Sequence, residues 1–230
     1  MSVATDREAT RSSVSIHFKR PREPFARVRD YRSSLVDDLL EQVLDERLEE
    51  RVARGASPFL FGSVSSGSLG LTAESFGLSA SVEDGGIPRG LEALMTEIER
   101  IRRHGVLPVE LERAKRETLA QSDQDYAERK KTESDGLADD YVSSFLSGDP
   151  EVGIEADHAL TRSLLPGIRL EELNARVAAR VYDHDRVILA TAPEKAGLAA
   201  PIQRPSCAPR SSARPRVRSR PGRTRSRARG

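Results

Sequence analysis

Residues 14–18, VSIHF, alternate apolar and polar, so Val14, Ile16 and Phe18 share one face and His17 points the other way. That period of two predicts a short half-buried strand, ended by Pro21 and Pro24. From Asp30 the period becomes helical, with Tyr31, Leu35, Leu39 and Val43, then Leu48 and Val52, on one face. Asp37, Asp38, Glu41, Glu46 and Glu50 charge the opposite face, and Gly55 with Pro58 supplies the stop. A Gly/Ser-rich stretch at 59–71 leads into ESFGLSASV, where Phe76, Leu78, Ala80 and Val82 alternate. Two antiparallel strands joined by a turn near 68–72 are predicted there.

A second helix is expected from about Pro88, on Ile87, Leu91, Leu94, Ile98 and Ile101, closing at Gly105. Pro108 suits the first turn of a third, strongly polar helix whose narrow apolar stripe is Leu111, Ala114 and Leu119. Leu137, Tyr141, Val142 and Phe145 mark a fourth, ending at Gly148-Asp149-Pro150. Two short helices follow at 157–165 and 170–182, and a last apolar strand covers 187–191. Strand, helix, two strands, several helices, strand is an α+β order: a mostly antiparallel sheet covered by helices on one face.

Charge divides the chain in two. All ten basic residues of 203–230 are arginines, with no acidic residue among them. Of the 37 basic residues, 27 therefore fall in 1–202, against all 36 acidic ones, a net of −9. The domain plan is a flexible N-terminus at 1–13, one α+β domain at 14–195, and a disordered Arg/Pro/Ser-rich tail at 196–230. A native tail and one read in a shifted frame of a GC-rich gene both fit that composition. The single cysteine, Cys207, excludes an internal disulfide. No apolar run of about 18 residues is present to span a membrane, and residues 1–13 contain no apolar leader.

Six stretches, in order, resemble the insulinase/pitrilysin family of zinc metallopeptidases. They are VSIHFKRP at 14–21, DYRSSLVDDLLEQVLDERLEE at 30–50, SPFLFGS at 57–63, GLEALMTEIERIRRHGVLPVELERAK at 90–115, LPGIRLEELNA at 165–175 and RVILATAPEK at 186–195. The resemblance implies one non-catalytic domain of a larger member, incomplete on its N-terminal side. It implies a parent that cleaves peptides with zinc, this chain contributing to the substrate chamber beside a catalytic domain or subunit. Parents of this kind are often periplasmic.

Active members carry H-x-x-E-H on a helix, which sets two imidazoles on one face to grip Zn²⁺ and a Glu to deprotonate its water. That motif does not occur here. His17, His104, His158 and His184 are scattered, so no cofactor is expected in this chain. Asp183-His184-Asp185 reads as a solvated loop. Arg47 matches an arginine that, in the family, helps hold the substrate carbonyl, but the tyrosine region paired with it carries Phe59 and Phe61. Arg47 also fits the charged face of an amphipathic helix. Gly62 to Gly67 lacks the Gly-Lys-Ser/Thr of a phosphate loop and reads as part of a hairpin. Two further readings stand beside the first: an inactive partner subunit of a two-chain peptidase, and nucleic-acid binding through the arginine tail, the weaker of the two.

Overall fold

In a computed structural model, which describes residues 2–55, 57–131, 134–182 and 186–194, the alternating stretches are strands and the periodic ones helices. Five strands form one mixed sheet: β1 (Ser2–Asp6), β2 (Ser12–Pro21), β3 (Phe61–Ser68), β4 (Ala73–Val82) and β5 (Arg186–Pro193). Their order is β1-β5-β2-β4-β3. Every pairing is antiparallel except that of β1 with β5. Six helices complete the domain: α1 (Val28–Ala53), α2 (Ile87–His104), α3 (Pro108–Glu128), α4 (Ser134–Ser147), α5 (Ile154–Leu164) and α6 (Leu170–Arg180). His184, Cys207 and the tail at 196–230 lie outside the described residues.

One face of the sheet builds the core. Val14, Ile16 and Phe18 on β2 stand beside Phe76, Leu78, Ala80 and Val82 on β4, all buried. α2 lies on this face through Ala93, Leu94, Ile98 and Ile101. Gly90 permits the close approach, since a Cβ there would come within 2.6 Å of a Val82 methyl. α1 buries two rows, Tyr31, Leu35, Leu39 and Val43, and Val36, Leu40, Leu44 and Leu48. The second row is wider than the single stripe expected, because α1 meets β3 on one side and α3, α5 and α6 on another. Each such aliphatic side chain is worth about 2 kcal/mol of burial, so α1 is the main hydrophobic tie of the domain.

Buried charge ties the same layer. The Arg180 guanidinium, 4% exposed, donates from Nε to Asp37 Oδ1 at 2.9 Å and from Nη1 to Glu74 Oε1 at 2.8 Å. It thereby joins α6, α1 and β4, using an aspartate that the sequence places on a solvated helix face.

One expectation is corrected. Residues 1–13 were to be flexible, yet residues 2–6 are strand β1 and Ser12 and Ser13 already belong to β2. The reason is long-range: β1 is held by parallel pairing with β5, and Glu194 N–H donates to the Asp6 carbonyl at 3.0 Å. α4 forms where its apolar spacing predicts, but Tyr141, Val142 and Phe145 are exposed, Phe145 by 85%, so that spacing marks no core.

Candidate functional site

The histidines stand apart. His17 is on β2, His104 ends α2 in solvent, and His158 is on α5. His158 is committed to α3, with Nε2 2.8 Å from Asp123 Oδ1 and its ring stacked 4.3 Å from that of Tyr126. Among the described residues no group of three or more His, Cys, Asp or Glu side chains is placed to hold a metal ion. The donors among the described residues do not fit the zinc centre of an active insulinase-type domain.

Arg47 sits in a cleft of about 700 Å³ between the C-terminal parts of α1 and α2 and the start of α3. Its Nε and Nη2 donate to the two Glu110 oxygens at 2.8 and 2.7 Å. Nη2 also reaches the Gly105 carbonyl at 3.0 Å, and Nη1 lies 3.4 Å from Glu97. Burial alone would lower the Arg47 pKa, but the Glu110 hydrogen bonds and charge more than reverse this and hold it above its ordinary value. Glu97 is 1% exposed and would be an uncompensated buried charge without Arg47 and Arg100. Glu110 closes the knot by accepting the Leu107 N–H at 2.7 Å, capping α3.

The second face of the sheet is unlike the first. Strand register aligns Ser63, Ser79, Ser15, Leu189 and Ser2 in one row across all five strands. The next rows are Phe61, Ser81, Ser13, Thr191 and Ala4, and Ser65, Gly77, His17 and Val187. α1 and α2 meet the sheet on the other side, against Gly62 and Gly90's neighbour Val82. In these three rows no side chain is acidic or carries the charge of a lysine or arginine, although 32% of the chain is charged.

His17 lies flat on this surface. A Cβ at Gly77 would stand 2.5 Å from its Nδ1, so glycine makes the bed for the ring. Nε2 is 2.9 Å from Ser15 Oγ, and Ser63 and Ser79 hydroxyls pair at 2.7 Å on the neighbouring strands. Burial pushes the His17 pKa down, favouring the neutral ring as a hydrogen-bonding group. The sequence showed the alternation but not this surface, which exists only through lateral register; the run of Ser and Gly at odd positions 75–81 was its one visible signal.

No family model matches the chain. A protein of Arabidopsis thaliana named zinc protease PQQL-like is 26% identical over 173 residues, which is 75% of this chain and 15% of that protein. The first half of the periplasmic protease PqqL from Escherichia coli superposes with a TM-score of 0.76 at 19% identity, over 82% of this chain and 41% of that one. The inactive peptidase domain of a protein assigned as a zinc protease from Bordetella parapertussis superposes at 0.59 and 17% identity, over 85% of this chain and 98% of that domain. The fold is thus that of an insulinase-type metallopeptidase domain. In particular, the chain resembles one domain of the PqqL-like zinc proteases, and it spans only a minor part of their length.

Proposed function

We propose that this chain acts as a non-catalytic domain of an insulinase-type peptidase, the sheet face opposite α1 and α2 forming part of the wall of a substrate chamber. The observation that carries the reading is that face: five strands wide, uncharged in its central rows, and paved with small hydroxyl side chains. A face meeting only bulk water has no physical reason to exclude charge in so charged a chain. An extended peptide passing close to the backbone is suited by small side chains, hydroxyl hydrogen bonds and isolated apolar contacts such as Phe61 and Leu189.

Zinc and the attacking water would come from a catalytic domain or subunit. Within this reading Arg47 serves indirectly: its donors are spent on Glu110, Glu97 and Gly105, so it braces α1 against α2 and α3. Holding the substrate carbonyl then falls to other parts of the parent protein. An inactive partner subunit is the second reading, favoured by the near-complete coverage of an inactive peptidase domain. The purified chain should show no chelator-sensitive peptide cleavage alone and should gain or modulate it with an H-x-x-E-H chain. Robust chelator-sensitive turnover by the chain alone sinks the proposal.

A further inference from the structure

We infer that the cleft between the C-terminal ends of α1 and α2 is a binding site for an oxyanion, a carboxylate or phosphate group, with Arg51 as its central ligand. Four arginines line it, Arg47, Arg51, Arg54 and Arg100, against three carboxylates, Glu50, Glu97 and Glu110. Every carboxylate is already taken. Glu97 is shared by Arg47 and Arg100 at 3.4 and 3.2 Å. Glu110 is held by Arg47, and Glu50 by Arg54 at 3.0 Å with Arg113 at 3.5 Å.

Arg51 is the surplus cation. It is half-buried, yet no hydrogen bond or ion pair links it to any described residue. Arg89 and Glu92 line the adjoining recess, and Glu92 stays outside ion-pair range. A partly desolvated guanidinium without a counter-ion costs stability, so a domain that keeps one invites an anion from outside. The cleft, with four arginines against three glutamates, is cationic on a body that carries a net −9 over residues 1–202. The planar fork of Arg51 matches two oxygens of a carboxylate or phosphate. Arg54, on the next turn, offers a second donor from the same helix, and Arg100, 64% exposed, a third from α2. This site is on the helical side, and its existence does not depend on the sheet face lining a chamber.

The test uses the full chain and titrates inorganic phosphate and acetate by calorimetry, with chloride holding ionic strength constant. Saturable binding of at least one oxyanion is expected, weakened about tenfold or more by Arg51→Gln. Arg103→Gln, which removes an exposed partner of Glu99 outside the cleft, should leave it unchanged. Without anion, Arg51→Gln should unfold at the wild-type temperature or above, since it removes an unpaired charge; this establishes that the variant is folded. Arg51→Lys, keeping charge but losing the fork, should fall between. A dipeptide with a free C-terminus that outbinds its amide assigns the source to a peptide carboxylate, while tighter phosphate binding assigns it to a phosphate group. No saturable binding to the wild type, or equal binding by Arg51→Gln, overturns the inference.

Discussion

The two faces of one sheet are written by alternate residues of the same strands, and they obey different rules. Even positions of β4, Phe76, Leu78, Ala80 and Val82, are apolar and buried on the side where α2 lies, whereas Ser75, Gly77, Ser79 and Ser81 between them are small and face the other way. The covered face serves stability, through burial and through ion pairs that lock its helices. The open face carries hydroxyl and imidazole contacts instead, Ser63 with Ser79 at 2.7 Å and Ser15 with His17 at 2.9 Å. Nothing in strand propensity separates these two uses; the difference lies in what each face excludes.

The contrast can be broken most forcefully on the covered face. Phe76→Ala should cost about 4 kcal/mol in chemical denaturation, by lost transfer energy and the cavity left behind. Next, Arg47→Ala should cost about 3 kcal/mol, because it strips part-buried Glu110 of both guanidinium hydrogen bonds and leaves buried Glu97 with Arg100 alone. An equal loss of stability with Arg47→Lys, which cannot reproduce the two-oxygen grip on Glu110, identifies the brace; a stable but function-impaired variant would favour a substrate role. Gly77→Ala should cost about 2 kcal/mol by driving a methyl into His17, making it the exception on the open face.

Acid should act on the covered side. Glu172 is pulled down to about 2 by the Arg32 guanidinium, against a smaller opposing effect of burial, with help from the Arg169 N–H. A carboxyl depressed in the folded state stabilises above its ordinary pKa and loses that contribution as pH falls through about 4.5 towards 2. Glu172→Gln should therefore flatten stability against pH in that window, by about 1 kcal/mol, in denaturation followed from pH 6 to 2. Ser79→Ala marks the bottom of the scale, within about 0.5 kcal/mol of wild type. A large loss there would mean that the open face is a folding face after all.

Much of this architecture was legible in the sequence, because alternation and helical period are local signals. β2, α1, the β3–β4 hairpin, α2 and α3 follow from residues that are neighbours or one turn apart, with Gly and Pro as stops. β1 was not legible: five residues without clear alternation become a strand only by pairing with β5, at the far end of the chain. Charge misled as well. Asp37 reads as a solvated helix position, yet Arg176 and Arg180 of α6 draw it inward. Tyr141 and Phe145 mark a helix that forms, and they stand in solvent, since spacing shows that a helix has an apolar face but not what covers it. The Arg51 cleft needed pairing information that sequence cannot contain: which carboxylates are already spoken for.

The central claim, that the open face looks into an enclosed space when the parent assembly forms, is best tested by size-selective labelling. A single thiol is placed at Ser79→Cys in a Cys207→Ser background and compared with Glu49→Cys on the exposed surface of α1. Each is treated with a small maleimide and with one carrying a bulky polymer, alone and in complex with an H-x-x-E-H insulinase-type chain. The account predicts that in the complex Ser79→Cys reacts with the small reagent but is shielded from the large one, while Glu49→Cys reacts with both. Equal access of the large reagent to both positions in the complex would contradict it.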